Sequence, residues 1–594
     1  LAALDGDDGV VTVSLRLADA RDVALAAAGQ SVALAREEGD RFTGTLRLPK
    51  VEKWWPHTHG TPTLHEVRLT VDGREIVLGR TGFRSIAVDR GTDGKGFALV
   101  VNGQPIFARG ACWSASDLVS LAGDRASLKP WLDQARAAHM NMLRVAGSMI
   151  YEGDAFFELC DELGILVWHD FMFANMDYPV ADGAFRASVE AEAAQFLQRT
   201  AAHPSLAVLC GGSEVAQQVS MMGLPPELWS GPLYDELLPA AVAAHRPDAV
   251  YVANSPSGGD LPFAIGEGVS HYYGVGAYLR PLDDARRAGV RFATECLGFS
   301  NLPVFARGGI SSNVPQDGGT DWDFADVTAH YTRLLYGADT PRLRRAAVAE
   351  VMEATIAEWR RAGSSCAGAL VWLLKDFMPG AGWGVVDSEG TPKLSWHALR
   401  RAFRPVQVSL TDEGLDGLAI HLINDTAAPV RAKLSLRCYQ NGETLVMRRV
   451  RDVELPPRSS RTISSAEMIG AFFDITCAYR FGVPALDVTV VTLDDAATGQ
   501  RLAEAAHFPQ GRAALTADPG LSVEPAGDRA LTVRATRFAH CIQIEDAHWR
   551  AADEGFNLEP GEERIVELVR VSDGSAAGAV CVANGKGEVR YACP

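Results

Sequence analysis

The chain has 594 residues, far more than one hydrophobic core supports, and so predicts roughly three to five domains. Its 74 acidic against 56 basic residues give a net charge of −18, which argues against nucleic acid or any other polyanion as partner and suits a neutral substrate. No run of about 18 apolar residues is present, which argues against a membrane span.

Residues 1 to about 88 alternate apolar and polar positions in short runs, as in Val10–Leu17, Arg41–Leu48, Glu66–Val71 and Glu75–Leu78, with an Asp72-Gly73 turn. That period of two predicts a small immunoglobulin-like β-sandwich over 1–88. Trp54 and Trp55, late in this stretch, read as an inter-domain packing cluster.

From about 89 the texture changes. Phe97–Phe107 reads as a hairpin around Asn102-Gly103, and strands then alternate with helices. Strands are expected at Phe107–Trp113, Asn141–Val145, Ile165–Asp170, from Leu206, at Ala249–Asn254, at Val269–Tyr273, ending at Glu295, and at Ala367–Leu374. Helices are expected near Leu128–His139, at Asp154–Gly164 with Asp154 as N-cap and Gly164 as terminator, near Phe185–Ala202, near Arg342–Ala362 and at Leu394–Arg401. Eight strands over roughly 315 residues predict a (β/α)8 TIM barrel spanning 89–405. A doubly wound open sheet is the competing fold, but no glycine-rich phosphate fingerprint supports it. After Pro405 the helices stop and alternation returns, which predicts two more sandwiches, 406–508 and 509–594, flanking the barrel on its far side.

Two of the barrel strands end in a carboxylate. Leu206-Ala-Val-Leu-Cys-Gly-Gly-Ser-Glu214 and Val290-Arg-Phe-Ala-Thr-Glu295 are each an apolar run that delivers an acid to the carboxyl-end rim, where barrel enzymes place their chemistry. Two carboxylates without metal-ligand spacing are the minimal equipment of a glycosidase. Mutual repulsion is expected to raise the pKa of one and keep it protonated near neutral pH. The ten cysteines show no CxxC pair and no metal spacing, so no metal or other cofactor is expected, and their apolar settings favour a reducing, cytoplasmic location over a periplasmic or secreted one. The sequence starts at Leu1 without Met and reads as a processed or incomplete chain, which leaves an export signal open.

These residues resemble glycoside hydrolase family 2 on its β-mannosidase-like branch. The resemblance is carried by Tyr151–Phe173 with Tyr178-Pro179, by His203–Glu214, by Arg291–Pro303, by Leu370–Asp387 with Pro392-Lys393, and by Asp553–Glu562. It implies retaining exo-hydrolysis of a β-linked sugar, with Glu295 as nucleophile and Glu214 as acid/base. It further implies sugar contacts from Trp113, Asp117, Arg144, Ser213, His271, Tyr273 and Trp372. The family usually carries a jelly-roll domain ahead of the first sandwich, which this chain lacks, and the Trp54-Trp55 cluster is expected at the surface so exposed.

Three positions depart from the branch. Its Asn before the acid/base is Ser213, a Trp after Arg-Val is Ala146, and a Trp in its His-Tyr-Trp-Gly-Val-Trp segment is Gly276. Together they predict a wider, more polar pocket than a mannose slot. Two other classes compete with the hydrolase: a carbohydrate-binding protein that keeps the pocket without turnover, favoured by Ser213, and a structural multi-sandwich protein, disfavoured by the two retained glutamates.

Overall fold

The computed structural model describes residues 1–304, 323–479, 482–585 and 588–593. They fall into two compact units. One comprises Leu1–Tyr272, Ala288–Cys296 and Ser365–Val371; the other comprises Tyr273–Arg287, Leu297–Ser364 and Trp372–Pro594.

The first unit opens with the expected sandwich. One antiparallel sheet joins Ala2–Asp5, Asp8–Arg16, Arg41–Leu48 and Ala35–Arg36; the other joins Gln30–Ala33, Val23–Ala27, His65–Val71 and Arg74–Thr81. Alternate residues point inward, so Val11, Leu25, Phe42, Leu46, Leu69 and Phe83 form a common core. Asp72 (φ 48°) and Gly73 (φ 82°) both take positive φ between paired Val71 and Arg74, as a tight hairpin turn demands.

The Trp54 expectation divides. Its indole is fully buried and donates from Nε1 to the Asp161 carbonyl at 2.9 Å, which fits packing against the barrel. It is not an exposed docking residue, and that part of the expectation is corrected. Arg84, also buried, donates to the carbonyls of Pro204, Leu206 and Asp248. A guanidinium has five donors in a fixed fork, and here it staples sandwich to barrel.

The barrel strands are β1 (Ala108–Trp113), β2 (Met142–Val145), β3 (Leu166–Asp170), β4 (Leu206–Ser213), β5 (Val250–Ser255), β6 (Ser270–Tyr272), β7 (Ala293–Cys296) and β8 (Gly368–Val371). All pair in parallel, in the order β5-β4-β3-β2-β1-β8-β7-β6. The seam between β5 and β6 is spanned by a Ser257–Val269 bridge and a 3.2 Å contact between Ser255 Oγ and His271 Nε2. Strands β1 to β4, β7 and β8 are buried along their whole length, the property that makes barrel strands read as apolar runs. Helices α1 (Arg125–Ala137), α2 (Asp154–Leu163), α3 (Gly183–Arg199), α4 (Val215–Met221) and α5 (Leu238–His245) follow the first four strands. Gly164 closes α2 at φ 68°, as expected, but its N-cap is Gly153. Asp154 is the first helical residue, where the helix dipole favours an acid, so the capping role expected for it is corrected.

The second unit carries helices Phe324–Tyr336, Pro341–Arg360 and Leu394–Ala402, then two antiparallel sandwiches. In the first, Val406–Asp412, Leu418–Asn424 and Ser459–Ser464 face a sheet of Val430–Gln440, Thr444–Leu455, Val488–Asp495 and Arg501–His507. The second runs from Leu521 to Ala592 and packs two four-stranded sheets over Leu531, Ile542, Phe556 and Val580.

Candidate active site

Glu214 and Glu295 stand at the carboxyl ends of β4 and β7. On β4, Gly211 has no room for a side chain, because a Cβ there would lie 2.5 Å from the Ala253 carbonyl of β5. The strand can therefore lie hard against its neighbour, and Glu214 leaves it in a left-handed turn (φ 59°, ψ 9°) that opens α4. Its backbone N–H donates to Ser255 O at 2.8 Å, which fixes the direction of its side chain. Glu295 is almost fully buried, while Glu214 keeps a quarter of its side chain exposed.

His271, at the end of β6, joins the two. Its Nδ1 lies 2.7 Å from Glu214 Oε1 and 3.4 Å from Glu295 Oε2. Its Nε2 faces Arg144 Nη1 at 3.3 Å and Ser255 Oγ at 3.2 Å. Arginine can only donate, so Nε2 is the acceptor nitrogen and Nδ1 carries the proton between the carboxylates.

Arg144, from β2, is wholly buried. It donates through Nη1 to Glu295 Oε1 and through Nη2 to Asp170 Oδ2, each at 2.8 Å, and Nη2 also reaches Ser213 Oγ at 3.1 Å. Burial opposes its charge, but Asp170 and Glu295 outweigh burial and raise its pKa well above the ordinary value. Asp170 is also buried, and takes further hydrogen bonds from Trp168 Nε1 (2.8 Å) and the Gly147 N–H (3.2 Å).

These donors act against the expectation that mutual repulsion keeps one carboxyl of the pair protonated, as far as Glu214 is concerned. Burial pushes the Glu214 pKa up, but the hydrogen bond from His271, with the charge of Arg144, brings it below the usual carboxylate value. The site at rest stabilises an ionised Glu214. Among the described residues Glu214, His271 and Glu295 are also the one group whose donor atoms are spaced for a metal ion, all within 4.8 Å of one another. Arg144 already supplies the positive charge that such an ion would bring.

The remaining expected residues separate. Trp113 is fully buried, its indole donating to Glu152 Oε1 at 2.8 Å and its ring against Phe156; it is wall, with no surface to offer a sugar. Asp117 is exposed and accepts from the Val119 and Ser120 N–H groups, shaping its own loop. Tyr273 and Trp372 belong to the second unit, where both rings lie over Gly298: a Cβ there would be 3.1 Å from Tyr273 and 3.8 Å from Trp372. The small residues also gain a physical reading. Ala146 is buried and lines no open entrance. Gly276 sits at φ 139°, a conformation side chains rarely adopt, and its N–H donates to Tyr331 Oη at 3.0 Å; backbone geometry requires glycine there.

Sequence reasoning missed Asp170, Ser255 and Thr294. Ile165–Asp170 is itself an apolar run ending in an acid, the signal that singled out the two glutamates, so Asp170 was within reach. Ser255 and Thr294, whose hydroxyls meet at 2.7 Å, carried no such signal.

A parallel eight-stranded barrel in a chain that also carries β-sandwiches, with two carboxylates meeting at the strand ends, fits a glycoside hydrolase. No protein-family model matches the chain. It is 27% identical over 582 residues to β-mannosidase B of Aspergillus niger, an alignment covering 87% of this chain and 67% of that protein. It is 26% identical over 601 residues to β-mannosidase B of Emericella nidulans, covering 90% and 69%. Its fold superposes with a TM-score of 0.81 on the β-D-mannosidase of Dictyoglomus thermophilum (22% identity, 98% of this chain and 75% of that one). The exo-chitosanase of Amycolatopsis orientalis follows with a TM-score of 0.71 (15% identity, 99% and 77%). In sequence and in fold the chain is thus similar to β-mannosidases, which supports a β-mannosidase-like glycoside hydrolase.

Proposed function

We propose that the protein is a retaining, exo-acting β-glycoside hydrolase whose catalytic region is 89–405, with Glu295 as nucleophile and Glu214 as acid/base. One observation carries this reading: a single imidazole N–H lies between the two carboxylates, and their nearest donor atoms are within 4.8 Å. Double displacement uses carboxyl groups about 5–5.5 Å apart, whereas inversion needs about 6.5–9.5 Å to admit a water. The separation here supports the former.

The roles follow from the contacts. Arg144 holds Oε1 of Glu295 and fixes the carboxylate that attacks the anomeric carbon. A sugar entering between the carboxylates separates Glu214 from His271 and excludes water. Both changes favour a protonated Glu214, which then delivers its proton to the departing oxygen as the glycosidic bond breaks. In the second half, Glu214 takes a proton from water, the water oxygen bonds to the anomeric carbon, and the ester to Glu295 breaks. Glu214 releases that proton to solvent as the sugar leaves, replacing the one it took up from solvent on substrate entry, and the cycle closes.

Ser213 borders this centre. Its Oγ accepts from Arg144 and keeps one proton for a sugar hydroxyl, with a shorter reach than asparagine. We expect weak turnover of simple aryl β-mannosides and a preference for a larger or 2-modified β-glycoside. A panel of aryl β-glycosides, with product configuration read by NMR, tests both parts. Inverted product removes the double-displacement reading. An aryl β-mannoside as best substrate, at kcat/KM on the order of 10⁴ M⁻¹s⁻¹ or higher, removes the preference.

A further inference from the structure

The helix Pro341–Arg360 and the two carboxyl-terminal sandwiches border a cavity of about 290 Å³. Its whole wall belongs to the second unit, so it shares no residue with the carboxylate pair. Its size is at the lower end for small-molecule sites, about 300–1,000 Å³, and such sites favour places where domains meet. Strand alternation decides what lines it. In Val406–Asp412, Val406, Val408 and Leu410 pack on the core of the first carboxyl-terminal sandwich. Gln407 and Ser409 are therefore turned to the other face, where they line the cavity, and each is only 5% exposed. Gln407 donates from Nε2 to the Arg401 carbonyl at 3.0 Å, but its Oε1 has no hydrogen-bond partner, and neither has Ser409 Oγ. His507 lines the same space; its Nε2 lies 3.0 Å from Asp412 Oδ2, and its Nδ1 is unpartnered. Glu353 reaches the cavity from the helix, with no hydrogen bond or ion pair to any described residue. Buried polar groups are ordinarily satisfied, and these open ones all border one space.

What is unmet there is hydrogen bonding, not charge. The other charged groups at the cavity are already paired: Glu350 with Arg512 and His540, Arg360 with Asp425, Arg401 with Asp553, and Glu504 with Arg501. Burial pushes the Glu353 carboxyl toward its neutral form, against the charges of Arg401 and Arg404. A charged ligand would be buried here without a counter-charge, which is costly. With Nε2 donating to Asp412, His507 offers Nδ1 as an acceptor beside Gln407 Oε1, while the Ser409 hydroxyl and a protonated Glu353 both donate and accept. That set suits a molecule which donates and accepts from several positions, as a cluster of hydroxyls does. Ala354, Ala357 and Phe508 add apolar wall for the C–H face that a sugar ring carries. We propose that this cavity is a carbohydrate site separate from the carboxylate pair, and that it takes one neutral monosaccharide through Gln407 Oε1, Ser409 Oγ, His507 Nδ1 and Glu353.

The test is amide hydrogen exchange on the full chain, with D-mannose, D-glucose and D-galactose each raised until any response saturates. At least one hexose should slow exchange in 349–360, 406–412 and 504–508, the segments that line the cavity. A sugar held at the carboxylate pair would instead protect 206–214 and 293–296, so the two places are told apart in one measurement. Q407L/S409A, which removes two of the open groups, should weaken the response in the cavity segments at least about tenfold and leave any response at the carboxylate pair as it was. A357L keeps every polar group and puts a larger side chain into the cavity from the helix; it should abolish the same response, and it decides the matter if Q407L/S409A does not fold. V77S, changed at an exposed position of the amino-terminal sandwich, should alter nothing. Gluconate and glucosamine, polyols that carry a charge, should bind at least about tenfold more weakly than the best hexose. No protection of the cavity segments by any hexose means that water alone occupies the space and overturns the proposal. So does protection that survives Q407L/S409A or A357L, and tighter binding of either charged probe overturns the neutral class.

Discussion

Replacing Arg144 with methionine should both disarm and destabilise the protein, and the size of the loss can be worked from its contacts. The guanidinium is wholly buried, as is Asp170, and Glu295 is 9% exposed. R144M removes two charge-assisted hydrogen bonds and leaves two buried carboxylates without a cation. Removing one partner of a buried pair costs about 3–5 kcal/mol. Trp168 Nε1 and the Gly147 N–H still support Asp170, which places the expected loss near the low end, about 3 kcal/mol. Urea titration of both proteins, followed by tryptophan fluorescence, measures it. R144M/D170N should recover part of the loss, because one orphaned charge is gone. A deficit below about 1 kcal/mol refutes the argument.

His271→Ala removes the donor that favours ionised Glu214, so the alkaline limb of kcat/KM should move to higher pH. H271N, which keeps a donor near the Nδ1 position, should return it part of the way; a limb unmoved in H271A would deny His271 this influence. E214A should lower kcat/KM by about 10²–10⁴-fold on substrates with poor leaving groups, and far less on activated aryl glycosides that need no acid. Equal losses on both would mean that Glu214 is not the acid. In the carboxyl-terminal sandwich, burial raises the Glu554 pKa to about 7, above its ordinary 4.5. The folded state then holds a proton that the unfolded chain has released, and stability falls as pH rises from about 4.5 to 7, by about 3 kcal/mol at most. E554Q should flatten that fall in thermal unfolding of the folded chain. Chelation should leave turnover unchanged, since Arg144 and His271 already compensate the carboxylates; loss of activity restored by a divalent ion would contradict this.

The sequence by itself determined the barrel and the positions of its two glutamates, because each rests on a local signal. A strand buried on both sides must be apolar along its length, and the rim begins where the first acid or glycine interrupts it, as at Gly211–Glu214 and at Glu295. Alternation likewise marked the sandwiches, whose strands have one wet face. It missed Ala2–Asp5, Val23–Ala27 and Gln30–Ala33, which are short and rich in alanine or placed at an edge. The tertiary structure alone decided what the site residues do. Arg144 could have faced a sugar, but it is sealed between Asp170 and Glu295, residues 26 and 151 positions away along the chain. His271 reads in sequence as one more rim residue, and its place between the carboxylates exists only where β6 closes beside β7. Trp113, expected at a sugar, was claimed by Glu152 and Phe156, and Gly276, read as a widened wall, is fixed by its own backbone angle. Strand patterns record burial, which each residue meets alone. Partnership depends on which strand ends the closing barrel brings together, and no local pattern encodes that.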